Sequence, residues 1–141
     1  MKTVSDIMVK DVLSVMDTDT VFTARMLLKE RGVRHLPVVD AETDEFLGLL
    51  TQRSLLNHAF NIVEKFGLNG LEKREQRTLV SEIMLTQCDT ITPDTELLTV
   101  AEYFTEKKAS CLPVIEGKQL KGIVTSVDFV KLALYLLKGK D

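Results

Sequence analysis

Apolar and polar residues follow two different periods along the chain. Three stretches place apolar residues at the spacing of a helix with one buried face, starting near Val21, Ser54 and Leu97, and a fourth helical stretch starts near Phe129. Shorter apolar runs separated by polar turns, at residues 36–39 and 46–50 and again at 112–115 and 120–124, predict two hairpins. A short extended piece precedes the helices that start near Val21 and Leu97. The pattern therefore predicts the order strand, helix, strand, strand, helix, which occurs twice along the chain.

The chain repeats itself in register. Residues 4–8, Val-Ser-Asp-Ile-Met, return as Val-Ser-Glu-Ile-Met at residues 80–84, and Leu36-Pro37-Val38 returns at residue 112, both at an offset of 76. The offset is 74 from Gly48 to Gly122, so the first hairpin turn is two residues longer, as surface turns tolerate. We predict a first unit at residues 1–66, a connector at 67–79 and a second unit at 80–141.

Local signals add five structural expectations. Residues 17–20 should cap the first helix, Asp94 or Thr95 should cap the third, and Gly32 should end the first. The proline of each Leu-Pro-Val run is expected at the start of its strand, where it is tolerated. The charged run at residues 72–75 is expected to be a solvated helical face.

The last helix, at residues 129–137, is apolar on nearly every face. Such a helix needs a covering surface beyond one layer of its own unit. Two alternatives remain open at this stage: a subunit interface, or coverage by the helix at residues 54–66 of the same chain.

Composition narrows the function classes. The 141 residues are 45% hydrophobic and 28% charged, which is typical of a folded globular protein rather than a disordered one. A net charge of −3 with scattered basic residues argues against nucleic-acid binding. No apolar run reaches the roughly 18 residues that a membrane-spanning helix needs, so we expect no direct membrane insertion. Two cysteines without metal-ligand spacing predict no metal site and a reduced, cytoplasmic protein.

The polar junction between the last strand and the last helix of each unit is the candidate chemistry. Residues 122–130 place Thr125 and Asp128 there, whereas residues 48–56 place Thr51 and Ser54 at the matching positions. Unpaired N–H groups and the positive end of the dipole at a helix start favour an anionic or hydroxyl-rich ligand. The simpler alternative is that these side chains only cap their helices.

The two copies resemble cystathionine-beta-synthase (CBS) domains, and the pair resembles a Bateman module. The resemblance rests on the Val-Ser-acidic-Ile-Met opening, on Thr-Ile-Thr-Pro-Asp-Thr at residues 90–95, on Leu-Pro-Val, and on the Gly-to-Asp junction motif. It implies an α+β fold of two pseudo-symmetric units, each β-α-β-β-α, packed sheet to sheet. It also implies that adenosine-containing ligands bind in the cleft between the units. The resemblance further implies that the module regulates a partner protein and forms a homodimer.

The resemblance assigns site residues to matching positions in both copies. Thr125 and Asp128 would hold a ribose, while Ser54, standing where the family has aspartate, should select ribose more weakly beside Thr51. Basic residues of the first copy would either meet the phosphates or form a weaker site of their own: Arg34, His35 and Arg53. Further contacts to the ribose or the phosphate are expected from Thr90 with Ile91 and from Ser14 with Val15. The base is expected to pack against Pro37, Leu112 and Pro113.

These observations predict a stand-alone regulatory module rather than an enzyme. No nucleophile and base occur together in a recognisable motif, and the only histidines are His35 and His58. The expected ligand is AMP, ADP, ATP or S-adenosylmethionine, bound as a regulator and not as a catalytic cofactor, and it remains open whether magnesium accompanies the phosphates. The expected partner is a separate effector protein. The alternative is a dimeric interaction scaffold that binds no ligand.

Overall fold

The computed structural model describes residues 2–139. Its helices and strands are mostly short, with three 3₁₀ turns at Val4–Asp6, Leu68–Gly70 and Val80–Glu82. In chain order the elements are β1 (Val15–Met16), α1 (Val21–Arg31), β2 (His35–Val39), β3 (Phe46–Thr51), α2 (Gln52–Phe66), α3 (Leu71–Glu75), α4 (Leu97–Glu106), β4 (Cys111–Glu116), β5 (Gln119–Thr125) and α5 (Ser126–Leu137).

The chain folds into two compact units whose composition does not follow the sequence repeats. The Ser54 unit comprises Leu13–Cys88, and the Asp128 unit comprises the described residues up to Val12 together with those from Asp89 onward. Each repeat therefore gives its opening segment to the unit that the other repeat forms. Val9 exchanges backbone hydrogen bonds of 2.9 and 3.0 Å with Ile123, and Leu85 exchanges two of 2.9 Å with Leu49.

Two glycines make these exchanged contacts sterically possible. A Cβ at Gly48 would lie 2.5 Å from the carbonyl oxygen of Leu85, and a Cβ at Gly122 would lie 2.8 Å from the carbonyl oxygen of Val9. Neither glycine has a positive φ. Their role is close backbone approach, which explains why glycine occupies the same place in both repeats.

The sheets are small and confirm the predicted α+β class. In the Ser54 unit β1 runs parallel to β2, and β2 runs antiparallel to β3, with Val15 opposite Val38 and His35 opposite Thr51. In the Asp128 unit β4 and β5 form an antiparallel pair, and the expected opening strand is reduced to a bridge between Ile91 and Val114. The order β-α-β-β-α is thus complete in the Ser54 unit only.

The prediction that each proline starts its strand is wrong, because Pro37 and Pro113 are the third residues of β2 and β4. Pro37 lies opposite Leu49, whose own backbone groups bond Leu85, so the proline nitrogen faces away from β3. On its other side β1 begins only at Val15, opposite Val38. The missing N–H therefore falls just before the parallel ladder starts, where it costs no hydrogen bond.

The helix caps confirm part of the expectation. Thr20 caps α1 by accepting a hydrogen bond of 3.1 Å from the backbone N–H of Thr23, and Gly32 ends that helix with a φ of 64°. The expected cap on α4 is absent: the helix begins after Glu96 without a side-chain cap. The Thr95 hydroxyl instead accepts from the N–H of Thr92 at 3.2 Å, which holds the preceding turn.

The charged run of α3 is not wholly solvated as predicted. Its first three charged side chains are exposed, but Glu75 is fully buried. Its Oε1 accepts a hydrogen bond of 2.7 Å from Nε of Arg25 on α1, which forms an ion pair, while Oε2 has no hydrogen-bond partner among the described residues. A buried carboxylate is stable only when paired, so this contact attaches the connector to α1.

Each unit has its own core of aliphatic side chains. Both cores combine the strands with the inner faces of the unit's helices and with the exchanged opening segment, contributed by Val80 in one unit and Val4 in the other. The outer face of α5 remains uncovered: Val130, Leu134 and Leu137 are 66%, 52% and 86% exposed. The rest of the Asp128 unit therefore does not cover these three side chains. Within residues 2–139, no helix has both the length and the apolar character to cross a membrane.

Candidate ligand-binding site

The junction between β5 and α5 is an N-terminal capping box. Thr125, the last residue of β5, has extended backbone angles, and α5 begins at Ser126. Oδ2 of Asp128 accepts from the backbone N–H of Thr125 at 2.8 Å and from its hydroxyl at 3.4 Å. The sequence alternative that these residues cap the helix is therefore realised in the structure.

Capping leaves part of the Asp128 carboxylate for another task. The side chain is only 8% exposed, and both of its described hydrogen bonds end on Oδ2. The residue also lines a cavity of about 210 Å³ together with Ile7, Lys131, Leu132 and Tyr135. The carboxylate can therefore cap α5 through one oxygen and accept a ligand hydroxyl through the other.

A second, larger cavity lies in the same unit. It has a volume of about 390 Å³, within the range of small-molecule sites, and three of the predicted site residues line it: Thr90, Ile91 and Leu112. Its polar lining includes Lys107 and an Asp89 carboxylate that accepts a hydrogen bond of 2.7 Å from the Tyr103 hydroxyl. No lining residue is shared with the Asp128 cavity, so Asp128 lies on one cavity and Thr90, Ile91 and Leu112 lie on the other, while Thr125 and Pro113 line neither of the two.

The strand register explains the order of these residues across the unit. The backbone N–H of Ile91 donates to the carbonyl of Pro113 at 3.1 Å, so residues 90–91 lie beside β4. On the other side of β4, Cys111 pairs with Thr125, and the N–H of Ser126 donates to the carbonyl of Ser110 at 3.1 Å. Pro113 itself is buried within β4.

The matching junction of the Ser54 unit is satisfied locally. The Ser54 hydroxyl accepts from the N–H of Thr51 at 3.0 Å and donates to the carbonyl of Thr51 at 2.8 Å, while the Thr51 hydroxyl accepts from the N–H of Ser54 at 3.0 Å. A serine hydroxyl has one proton, and that proton is already committed. The position therefore offers a ligand less than the aspartate does.

The basic residues of the first copy gather at this end of the Ser54 unit. His35 lies opposite Thr51, and the carbonyl of Arg34 accepts from the N–H of Gln52 at 2.9 Å, which brings Arg53 to the same end of the sheet. Arg34 and Arg53 are exposed. Burial of the imidazole, reinforced by the Arg34 charge, lowers the pKa of His35 below its ordinary 6.5. His35 is therefore uncharged at neutral pH, and the cations here are the two arginines.

Two of the three remaining predicted residues of this unit are buried. Val15 is 4% exposed and packs in the core beside Val38, and Pro37 is fully buried in β2. Ser14, directly before β1, is half-buried.

Sequence reasoning did not find the other four residues of the Asp128 cavity, which are Ile7, Lys131, Leu132 and Tyr135. Lys131 and Tyr135 follow Asp128 by three and seven positions on α5, so helical spacing gives a signal for both. Ile7 reaches the cavity because the opening segment of the first repeat joins the other unit, and no local pattern shows that exchange. Among the residues that the structure describes, no group of three or more His, Cys, Asp or Glu side chains is arranged to hold a metal ion.

Comparisons with known proteins agree with this architecture. The family model described as CBS domain matches residues 4–61 and 80–135. A Vibrio cholerae protein named AcuB has a similar crystal structure, with a TM-score of 0.80 and 32% identity over 98% of this chain and 94% of that one. CBSX2, crystallised in complex with AMP, is similar with a TM-score of 0.80 and 28% identity over 97% and 99% of the two chains.

Among curated sequences, the uncharacterized protein MJ1404 of Methanocaldococcus jannaschii is 29% identical over 139 residues, which is 96% of this chain. The chain spans only 33% of that relative's length and less of the next two curated relatives. The two family matches cover most of the sequence and fall on its two repeats. The chain belongs to the CBS domain family and carries a tandem pair of these domains.

Proposed function

We propose that the chain is a regulatory module that binds an adenosine-containing ligand in the Asp128 unit and passes its ligand state to a separate protein. The observation that carries the proposal is the Asp128 carboxylate, which is nearly buried, fixed through Oδ2 and in contact with a cavity. A carboxylate accepts hydrogen bonds only, so it suits a ribose diol, which can donate two. The complex of CBSX2 with AMP supports this ligand class.

The proposal assigns unequal roles to the two junctions. Thr125 and Asp128 would hold the ribose at the Asp128 cavity, whereas Thr90, Ile91 and Leu112 line the separate, larger cavity of the same unit and Pro113 lines neither of the two. In the Ser54 unit, the committed hydroxyl of Ser54 argues for a weaker site. There the two exposed arginines would contribute most of the attraction, through the phosphates.

The proposal predicts a loss of binding on Asp128→Asn. An asparagine oxygen can still accept from the N–H of Thr125, so α5 keeps its cap and the folded state is expected to remain stable within about 1 kcal/mol. The amide group, however, presents donors to the cavity where the diol needs an acceptor. Isothermal titration with AMP, ADP, ATP and S-adenosylmethionine should show the tightest of these ligands binding at least about tenfold more weakly to the variant.

Glu82→Gln is the matched control. Glu82 caps the turn Val80–Glu82 by accepting a hydrogen bond of 2.7 Å from the N–H of Leu79, and it does not line either cavity described above. The control should bind as tightly as the wild type. Equal affinities of the wild type and Asp128→Asn would contradict the proposed role of Asp128.

A dimeric interaction scaffold is the second candidate, and the exposed apolar face of α5 favours it. The two candidates differ in the titrations with the wild type. If the titrations detect no binding of any of the four ligands, in a preparation that forms a stable dimer, the result would support the scaffold and reject the ligand-binding module.

A further inference from the structure

We infer that Lys131 makes the Asp128 cavity selective for a 5′-phosphorylated adenosine over adenosine itself. This inference rests on the proposed function, because it concerns which ligand the same cavity accepts. It names an anionic nucleotide as the ligand class, in preference to an uncharged nucleoside or the cationic S-adenosylmethionine.

The charges that line the cavity are few and complementary. Asp128 supplies the one carboxylate and Lys131 the one ammonium, and the other lining residues are Ile7, Leu132 and Tyr135. Within residues 2–139, Lys131 forms no salt bridge with a carboxylate, whereas Asp128 is engaged in its helix cap. The ammonium group therefore keeps its capacity to meet an anion that enters the cavity.

The helical spacing sets the two charges at a useful separation. Asp128 and Lys131 lie three positions apart, which places their Cβ atoms about 5–6 Å apart on one face of α5. The 2′,3′-diol and the 5′-phosphate of a nucleotide lie at opposite ends of one ribose ring. A ligand whose diol meets Asp128 thus carries its phosphate to the neighbourhood of Lys131, and the positive end of the α5 dipole adds to the attraction.

The rest of the unit offers no equivalent cation at the start of β4. The residues before Pro37 in the first copy include Arg34 and His35, but the matching pair before Leu112 is Ser110 and Cys111. Lys107 lines the larger cavity and not the Asp128 cavity. Phosphate selectivity at Asp128 is therefore expected to depend on Lys131.

The test compares AMP with adenosine as the two titrated probes. In the wild type AMP should bind on the order of tenfold more tightly than adenosine, as one charge-assisted contact gives. Lys131→Met keeps the aliphatic stem of the side chain and should bring the AMP affinity down to that of adenosine, while adenosine binding stays unchanged. Lys131→Arg should retain most of the preference.

Lys138→Met is the matched control, because it removes the same charge from the residue that directly follows α5 and that does not line the cavity. It should leave both affinities at wild-type values. If Lys131→Met weakens AMP no more than Lys138→Met does, or if the wild type binds AMP and adenosine equally, the inference is overturned while the proposed function stands. If the wild type binds neither probe and no other adenosine compound, the proposed function falls, and this inference falls with it.

Discussion

At the scale of single residues, the same position does different work in the two repeats. Asp128 and Ser54 both close a capping box. The Ser54 hydroxyl donates its proton to the carbonyl of Thr51, whereas Asp128 lines a cavity. The sequence alone predicted the inequality of the two junctions, because acceptor capacity follows from residue type. It did not predict the burial of Glu75, since that depends on Arg25, fifty positions away on α1.

His35 gives a residue-scale prediction of pH dependence. Burial and the Arg34 charge lower its pKa in the folded protein, so the unfolded chain takes up the proton first as the pH falls through the ordinary value of 6.5. The contribution to stability is complete above that value and decreases below it. The decrease is at most about 1.4 kcal/mol per pH unit, and less here because the ring is only half-buried and screened by solvent.

Urea unfolding at pH 7.5 and pH 5.5 measures this effect. The wild type should lose more stability between the two values than His35→Gln, whose side chain does not titrate. Parallel losses in both proteins would show that His35 does not contribute to the acid sensitivity.

At the scale of secondary-structure elements, the exchanged opening segments depend on two close backbone contacts. Gly48→Ala would place a Cβ 2.5 Å from the carbonyl oxygen of Leu85 and 3.3 Å from its carbonyl carbon. Backbone atoms held by two hydrogen bonds to Leu49 cannot move aside cheaply. We expect the substitution to lower the free energy of unfolding by roughly 1–3 kcal/mol, as overpacking does.

Gly70→Ala is the control for the intrinsic effect of adding a methyl group. Its nearest neighbour would be Cβ of Phe66 at an ordinary 3.9 Å, and its φ is −91°. Denaturant titration should therefore find Gly70→Ala close to the wild type. A Gly48→Ala protein as stable as Gly70→Ala would mean that the opening segment can shift without cost.

At the scale of the whole molecule, the repeat was predictable and its assembly was not. The offset of 76 residues, which falls to 74 after the first hairpin turn, predicted two related halves, because matching apolar patterns build matching elements. The exchange of opening segments escaped prediction because the pairing of Val9 with Ile123 joins residues far apart in sequence, and hydrophobic period reports local structure only. For the same reason, the sequence did not predict that Ile7 lines the Asp128 cavity, because Ile7 belongs to an exchanged opening segment.

The exposed face of α5 predicts self-association of the whole molecule. Val130, Leu134 and Leu137 follow an i, i+4, i+7 stripe and remain 66%, 52% and 86% exposed in the single chain. Covering such a stripe with a second copy removes apolar area from water on both chains, which is the usual basis of a stable homodimer.

Sedimentation equilibrium should find a dimer for the wild type and a monomer for Val130→Glu, because a charge buried in an apolar interface is strongly unfavourable. Leu68→Glu adds the same charge at a comparably exposed leucine outside α5, 72% exposed, and should remain dimeric. A monomeric wild type at micromolar concentration would leave the α5 stripe for a different protein to cover, and a dimeric Val130→Glu would place the self-association elsewhere on the surface.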